Sequence, residues 1–320
     1  MASPVLVTPA RPNPGRPREE SPGLRSARPG KNMTFFGVSV KETLMNALKL
    51  DKQIAILSAL VEGNSIRSTE RMTQIHRDTI MRLLQRIGEH CQRLMDHHLY
   101  GFQSQYIQVD EIWTFVQKKQ AQLTEAEREN STLGDQYVVV AIDAETKLIP
   151  TFVVGKRTGQ TALQFLIALQ KQLAQGGRIQ LTTDGLLAYR DAVDLTFGSH
   201  VDYAQAVKVY ASVDAGDGRY SPPRVSEVVK TVIMGNPAPE HISTSSVERQ
   251  NLTMRMAMRR FTRLTNAFSK KLANLKAALA LHFAHYNFVR LHRTLRVTPA
   301  MEAGITNHVW GWEELVVSSP

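Results

Sequence analysis

Three acidic residues stand at positions where a carboxylate could do chemistry. Asp110 lies in the middle of YIQVDEIWTFV, residues 106–116, which alternates as a β-strand. Burying a carboxylate in a sheet costs several kcal/mol unless something compensates its charge, and a metal ion can do so. Asp184 ends another strand, just before a glycine and a helix, where α/β sheets place ligand-binding groups. Glu248 lies near the start of a later helix.

These acids converge on one point if the first and fourth strands are neighbours and the helix of Glu248 packs beside them. Oxygen-rich sites of this kind suit Mg²⁺ or Mn²⁺. Two such ions, about 3.5 to 4 Å apart, can activate an attacking oxygen and stabilise a leaving one. If the acids do converge, the predicted cofactor is a pair of Mg²⁺ or Mn²⁺ ions held by Asp110, Asp184 and Glu248.

Other acids compete for this role. Glu111 follows Asp110 but faces the opposite side of the sheet, because strand side chains alternate, so it is set aside. Asp143 ends the second strand and is interpreted as a turn residue, although it is the main alternative to Asp184. Asp191 and Asp194 are expected on the surface of the helix after Asp184.

Positive charge is concentrated in particular segments of the chain. The net charge is +10, and residues 249–301 contain eleven basic residues and no acid. Such a block exceeds what solubility requires and indicates a polyanionic partner such as DNA. If residues 245–264 form one helix, Arg255 and Arg259 share the face of Glu248, where they could hold phosphates. The alternative for Arg255 is pairing with a structural acid. The predicted DNA-binding residues here are Arg249, Asn251, Arg255, Arg259, Arg260 and Arg263.

The first 100 residues predict an arm followed by a DNA-binding domain. Residues 1–33 hold seven of the fourteen prolines together with Arg, Ser and Gly, which predicts a disordered basic arm. Residues 34–100 predict an all-α helix-turn-helix domain, with helices at 52–62, at 65–72 and from His76 or Arg77 onward. Arg77 and Thr79 are the predicted DNA contacts. An ordinary three-helix bundle is the alternative.

Beyond residue 100 the periodicity changes from 3.6 to 2, which marks a new domain. Strands are predicted at 106–116, 135–143, 147–155, 178–184 and 201–211, with helices at 161–173 and 185–197. Residues 212–243 are interpreted as an insertion or long hairpin that can hold a strand at 227–234. Helices at 245–264 and 269–288 follow. The fold class is α/β, a mixed sheet flanked by helices.

Cysteine content and hydropathy exclude several classes. The single Cys91 excludes an internal disulfide and a CxxC zinc site. Neither a secretory signal nor an apolar run of about 18 residues is present, so a cytoplasmic protein without a membrane span is expected.

Three blocks carry a family resemblance. VDEIWTFVQKK (109–119), TTDGLLAYRDAV (182–193) and SVERQNLTMRMAMRRFTRLTNAFSKK (246–271) resemble the signature blocks of transposases of the insertion-sequence-one family. YNFVRLHRTL (286–295) with TPAMEAG (298–304) resembles the terminal block of related DDE transposases. The better-known members carry a cysteine-based zinc module, which a chain with one cysteine cannot form.

The resemblance implies a ribonuclease H-like catalytic domain at 101–300, followed by a tail at 301–320. It maps the catalytic, metal-binding triad onto Asp110, Asp184 and Glu248. It further implies cleavage and strand transfer at transposon ends, DNA as partner, a homo-oligomeric state and, in a bacterium, association with the nucleoid. A ribonuclease H-like nuclease or resolvase and an inactive DNA-binding protein remain alternatives.

Overall fold

A computed structural model describes residues 48–210, 225–262 and 265–318. Three helices open it: α1 (Leu50–Val61), α2 (Ile66–Thr73) and α3 (Arg77–His98). The Ser65 side chain accepts a hydrogen bond from the Ser68 amide and so caps α2. A three-residue turn, with Gln74 in the left-handed conformation, then leads into α3. One face of α3 is apolar and buried: Ile80, Leu83, Leu84 and Ile87.

A six-stranded sheet forms the centre of the described chain. Its strands are β1 (Tyr106–Val116), β2 (Gly134–Asp143), β3 (Phe152–Gly155), β4 (Ile179–Thr183), β5 (Val201–Tyr210) and β6 (Val225–Met234). The order is β3-β2-β1-β4-β5-β6. β1 to β3 form an antiparallel meander, β4 and β5 run parallel to β1, and β6 returns antiparallel to β5. This mixed sheet, flanked by helices, confirms the predicted ribonuclease H-like fold class.

Helices cover both faces of the sheet. The remaining ones are α4 (Glu125–Arg128), α5 (Gly159–Gln172), α6 (Ala188–Phe197), α7 (Ser245–Ala257), α8 (Leu272–Ala284), α9 (Pro299–Glu302) and α10 (Trp312–Val317). Gln108 of β1 accepts hydrogen bonds from backbone amides at the start of α7. Glu111, three residues along, lies beside Tyr189 of α6. Because strand side chains alternate, α7 and α6 lie on opposite faces.

The first three helices share the hydrophobic core of the sheet. α3 packs along α8, and residues of both belong to the same buried cluster as β1, β2 and β4. The C-terminal residues join it as well, since Trp310 and Leu315 are buried. The helices at the start of the described chain are therefore fixed against the body that carries the acids.

Gly88 permits the close contact between α3 and α8. A Cβ built on Gly88 would lie 2.5 Å from the Cα, Cβ and carbonyl oxygen of Ala277. Gly88→Ala is therefore expected to lower the free energy of unfolding by about 1–3 kcal/mol, despite the better helix propensity of alanine. Gly159→Ala is the matched control, because nothing lies within 4 Å of its Cβ position. Urea unfolding of both variants checks this, and equal stability would contradict it.

Two predicted elements have the wrong length. The predicted helix at 245–264 ends at Ala257, because Met258 adopts an extended backbone conformation while Met258 and Phe261 turn into the core. The predicted strand at 147–155 is limited to β3, because the Asn287 amide hydrogen-bonds both the N–H and the carbonyl of Ile149. The expected strand at 227–234 is confirmed as part of β6.

Several predictions fall outside the described residues. They concern the arm at 1–33, residues 34–47, Arg263 and the part of the insertion at 211–224. Among the described residues, no helix combines the length and the apolar character that crossing a bilayer requires.

Candidate active site

The sheet register brings Asp110 and Asp184 together. β1 and β4 pair in parallel through Tyr106 with Gln180, Ile107 with Leu181 and Gln108 with Thr182. Continued by two residues, this register places Asp110 level with Asp184, which directly follows β4. Asp110 lies on the face covered by α7, because Asn251 of that helix donates a hydrogen bond to it, whereas Asp184, beyond the end of β4, contacts Arg157.

Glu248 reaches the same region from the first turn of α7. One carboxylate oxygen accepts a hydrogen bond from the Thr244 hydroxyl at 2.7 Å, and the other forms an ion pair with Lys208 of β5. Gln108 anchors the start of this helix by accepting hydrogen bonds from the amides of Ser246 and Val247. A residue of β1 thus fixes the helix that presents Glu248 beside the strand of Asp110.

The three acids act on one another electrostatically. Burial, together with the negative charges of Asp184 and Glu248, raises the pKa of Asp110 to about 6. A carboxyl group in this setting is stabilised by a cation or by protonation. The region therefore has the electrostatics of a site that favours bound positive charge.

Asn251 completes the environment of Asp110. Its amide nitrogen donates a hydrogen bond of 2.8 Å to Oδ2 of Asp110, and its own Oδ1 is buried without a hydrogen-bond partner among the described residues. A buried oxygen without a donor, next to the Asp110 carboxylate, is a ligand type that suits a hard divalent cation. In their present side-chain conformations, no three His, Cys, Asp or Glu residues of the described chain lie close enough together to hold one metal ion. The donor types fit the predicted ions, while Asp184 and Glu248 are turned toward protein cations.

Arg157 links Asp184 to Glu111. Its Nε donates to Oε2 of Glu111 at 2.8 Å, and its Nη2 lies 3.6 Å from Oδ2 of Asp184. Burial raises the pKa of Glu111, the charge of Asp184 raises it further, and the hydrogen bond from Arg157 lowers it. Sequence reasoning placed Glu111 on the opposite face but missed its connection to the site. No spacing pattern marks Arg157, which lies in the turn between β3 and α5.

Arg157→Ala leaves the buried Glu111 carboxylate without its cation. We expect the free energy of unfolding to fall by about 1–3 kcal/mol at neutral pH. Because the pKa of Glu111 is raised in the fold, its protonation stabilises the native state, so the loss should shrink as the pH falls. Denaturant titrations at several pH values check this, with Glu111→Gln/Arg157→Ala as the comparison. A loss independent of both pH and Glu111 would contradict the assignment.

The competing acids occupy structural or exposed positions. Asp143 is buried at the end of β2, where its Oδ1 accepts the amides of Glu145 and Thr146 at 2.7 and 3.0 Å. It is thus engaged in a turn, three residues from Asp110 by the β1–β2 register. Asp191 and Asp194 are exposed on α6, as expected.

The predicted DNA-binding residues fall in different environments. Asn251 is buried against Asp110. Because α7 ends at Ala257, Arg259 does not continue the face of Glu248, so that expectation is wrong. Of the other described candidates, Arg249, Arg259 and Arg77 are exposed, and Arg255, Arg260 and Thr79 are half-buried.

The topology is that of a mixed, ribonuclease H-like sheet, with Asp110 on β1, Asp184 directly after β4 and Glu248 on α7. No protein-family model and no curated protein matches the chain. Among solved structures, it is similar to a piggyBac transposase synaptic complex with hairpin DNA, at 10% identity over 87% of this chain and 73% of that one, with a TM-score of 0.40. A pre-cleavage Mos1 transpososome is 10% identical over 75% and 78% of the two chains, with a TM-score of 0.25. The Mos1 strand transfer complex is 13% identical over 75% and 76%, with a TM-score of 0.20.

Proposed function

We propose that this protein is a DDE transposase that cleaves DNA at transposon ends and joins the freed ends to target DNA. The observation that carries the proposal is the electrostatic convergence on Asp110. Asp184 lies directly after the adjacent strand β4 and Glu248 lies on α7. The negative charges of both raise the pKa of the Asp110 carboxyl. The sequence blocks around these residues resemble those of the insertion-sequence-one family, to which we assign the chain as part of the proposal.

Asp110, Asp184 and Glu248 are the proposed metal ligands. When bound, two Mg²⁺ or Mn²⁺ ions would supply charge stabilisation and an activated oxygen nucleophile for phosphodiester cleavage. The chain's own contribution is to orient the ligands. Asn251 holds the Asp110 carboxylate by a hydrogen bond, and Thr244 holds that of Glu248. Such supporting partners commonly change metal affinity or activity by about 10- to 100-fold when removed.

DNA is the proposed partner, and cations on two parts of the chain would bind its phosphates. Arg249, Arg255, Arg259 and Arg260 are the proposed contacts near α7. Arg77 and Thr79 are the proposed contacts at the start of α3, in the helix-turn-helix interpretation of α2 and α3. A homo-oligomer in the cytoplasm remains part of the proposal.

A strand-transfer assay tests the proposed reaction. The full chain is incubated with Mg²⁺, a supercoiled plasmid and precleaved duplexes that carry the ends of its mobile element. We expect end–plasmid joints with wild type and none with Asp184→Asn. Hydrolysis without joining would identify a nuclease or resolvase instead. DNA binding with neither product would identify an inactive DNA-binding protein.

A further inference from the structure

An aromatic cavity lies beyond Asp110 along β1. It has a volume of about 580 Å³ and is lined in part by Trp113, Phe115 and Phe268. The ring centroids of Trp113 and Phe115 are 5.7 Å apart, and those of Phe115 and Phe268 are 4.9 Å apart. Trp113 is 42% exposed, so a large apolar ring is accessible at the protein surface. Trp113 lies three positions after Asp110, about 10 Å along β1, and its side chain points to the opposite face of the sheet.

Cations share this cavity with the aromatic rings. Lys119, Arg255 and Arg260 line it, and none of the described lining residues is an acid. The guanidinium of Arg260 donates to the Ser269 hydroxyl at 2.7 Å, and desolvation lowers its pKa to about 10. A desolvated guanidinium whose described partner is a neutral hydroxyl gains from a nearby anion. An apolar partner alone would leave that charge uncompensated.

A second cavity adjoins the first across Arg260. It has a volume of about 860 Å³ and lies between α1 to α3 and the segment that follows α7. Its described lining likewise contains no acid but includes five cations: Arg67, Arg77, Arg259, Arg260 and Lys270. Arg260, Thr265, Asn266 and Phe268 line both cavities, so the two share a wall. Positive charge thus extends from the start of α3 to the aromatic rings.

We propose that the aromatic cavity binds an unstacked nucleobase while the cations of the adjoining cavity hold phosphates of the same DNA strand. This inference rests on the proposed function, because it assumes that DNA is the ligand. Aromatic faces accept any base by stacking, and a basic groove follows the backbone, which together bind single strands with little sequence preference. The base would bind near the end of β1, the strand that carries Asp110.

Binding measurements without divalent ions test the inference on the full chain. Two fluorescent DNAs are compared: a fully paired duplex and the same duplex with one unpaired 2-aminopurine. We expect Trp113→Ala to weaken binding of the unpaired form by about 5- to 150-fold, as loss of one stacked base should. Binding of the paired form should change less than about twofold. Trp113→Phe, which keeps a ring, should retain most of the affinity and the quenching of 2-aminopurine.

Tyr100→Ala is the matched control, because Tyr100 is an aromatic residue 68% exposed that lines neither cavity. Thermal unfolding verifies that each variant is folded. Unchanged binding by Trp113→Ala, or an equal loss on both DNAs, would overturn the base site. If the wild-type chain performs strand transfer while Trp113→Ala binds both DNAs normally, the base site is wrong and the proposed function still holds. Base-selective binding without any strand transfer would support the base site and contradict the proposed function.

Discussion

Asp110→Asn is expected to reduce DNA cleavage by about 10³-fold or more while the affinity for DNA changes less than about twofold. Metal ions contribute several kcal/mol to transition-state stabilisation, and about 4 kcal/mol corresponds to a factor of about 10³ in rate. Loss of one carboxylate removes this contribution but leaves the basic residues that bind phosphates in place. Asp184→Asn and Glu248→Gln should behave in the same way.

Asp194→Asn is the control for these three variants. Asp194 is an exposed acid on α6, so its substitution removes the same charge outside the site. Cleavage rates with Mg²⁺ and with Mn²⁺, and DNA affinity with EDTA, should be measured for all four variants. Near wild-type cleavage in any one of the first three would remove that residue from the triad.

In the absence of metal, the same Asp110→Asn substitution should stabilise the protein. Burial raises the pKa of Asp110 from 3.8 to about 6 in the fold, so the native state binds a proton more readily than the unfolded chain. Wild-type stability from this group is therefore greatest below about pH 4, falls as the pH rises toward 6, and stays reduced above it. The difference between the two pKa values corresponds to about 3 kcal/mol, which the neutral amide should recover at pH 7.5.

Thermal unfolding with EDTA at pH 4 and pH 7.5 measures this effect. The variant should exceed wild type at pH 7.5, and the two should approach each other at pH 4. Mg²⁺ should then raise the melting temperature of wild type and leave that of the variant nearly unchanged, because only a bound ligand stabilises the fold. A variant less stable than wild type at pH 7.5 with EDTA would contradict the electrostatic account of the site.

The sequence was most informative where its pattern is local. Alternation over residues 106–116 identifies β1, and the run of apolar residues at 135–143 identifies β2, since strand periodicity follows directly from side-chain burial. The acids of β1 and α7 could be selected because a carboxylate is unusual in an apolar strand or at the head of a basic segment. The sequence predicted that Asp110 and Asp184 come together only if the first and fourth strands are neighbours. The parallel pairing of β1 with β4 meets that condition.

What could not be predicted depends on contacts between distant segments. The end of α7 depends on the burial of Met258 and Phe261, not on a glycine or proline stop signal. Arg157 reaches Glu111 and Asp184 from a turn with no recognisable motif. Asn251 was predicted from the sequence as a DNA-binding residue of a basic helix, whereas the packing of α7 on β1 brings its amide to Asp110. Tertiary geometry decides each of these.

The close packing of α3 on α8 has a further consequence for the spacing of DNA contacts that this protein would require. The start of α3 and the strand of Asp110 belong to one buried cluster, in which Gly88 lies directly against Ala277. A rigid body of this kind fixes the distance between the base pairs that α3 would contact and the phosphodiester that would be cut. The separation between these two DNA positions would then be set by the fold. Adding or deleting base pairs between the site contacted by α3 and the cleaved phosphodiester should therefore abolish cleavage without changing the affinity for DNA.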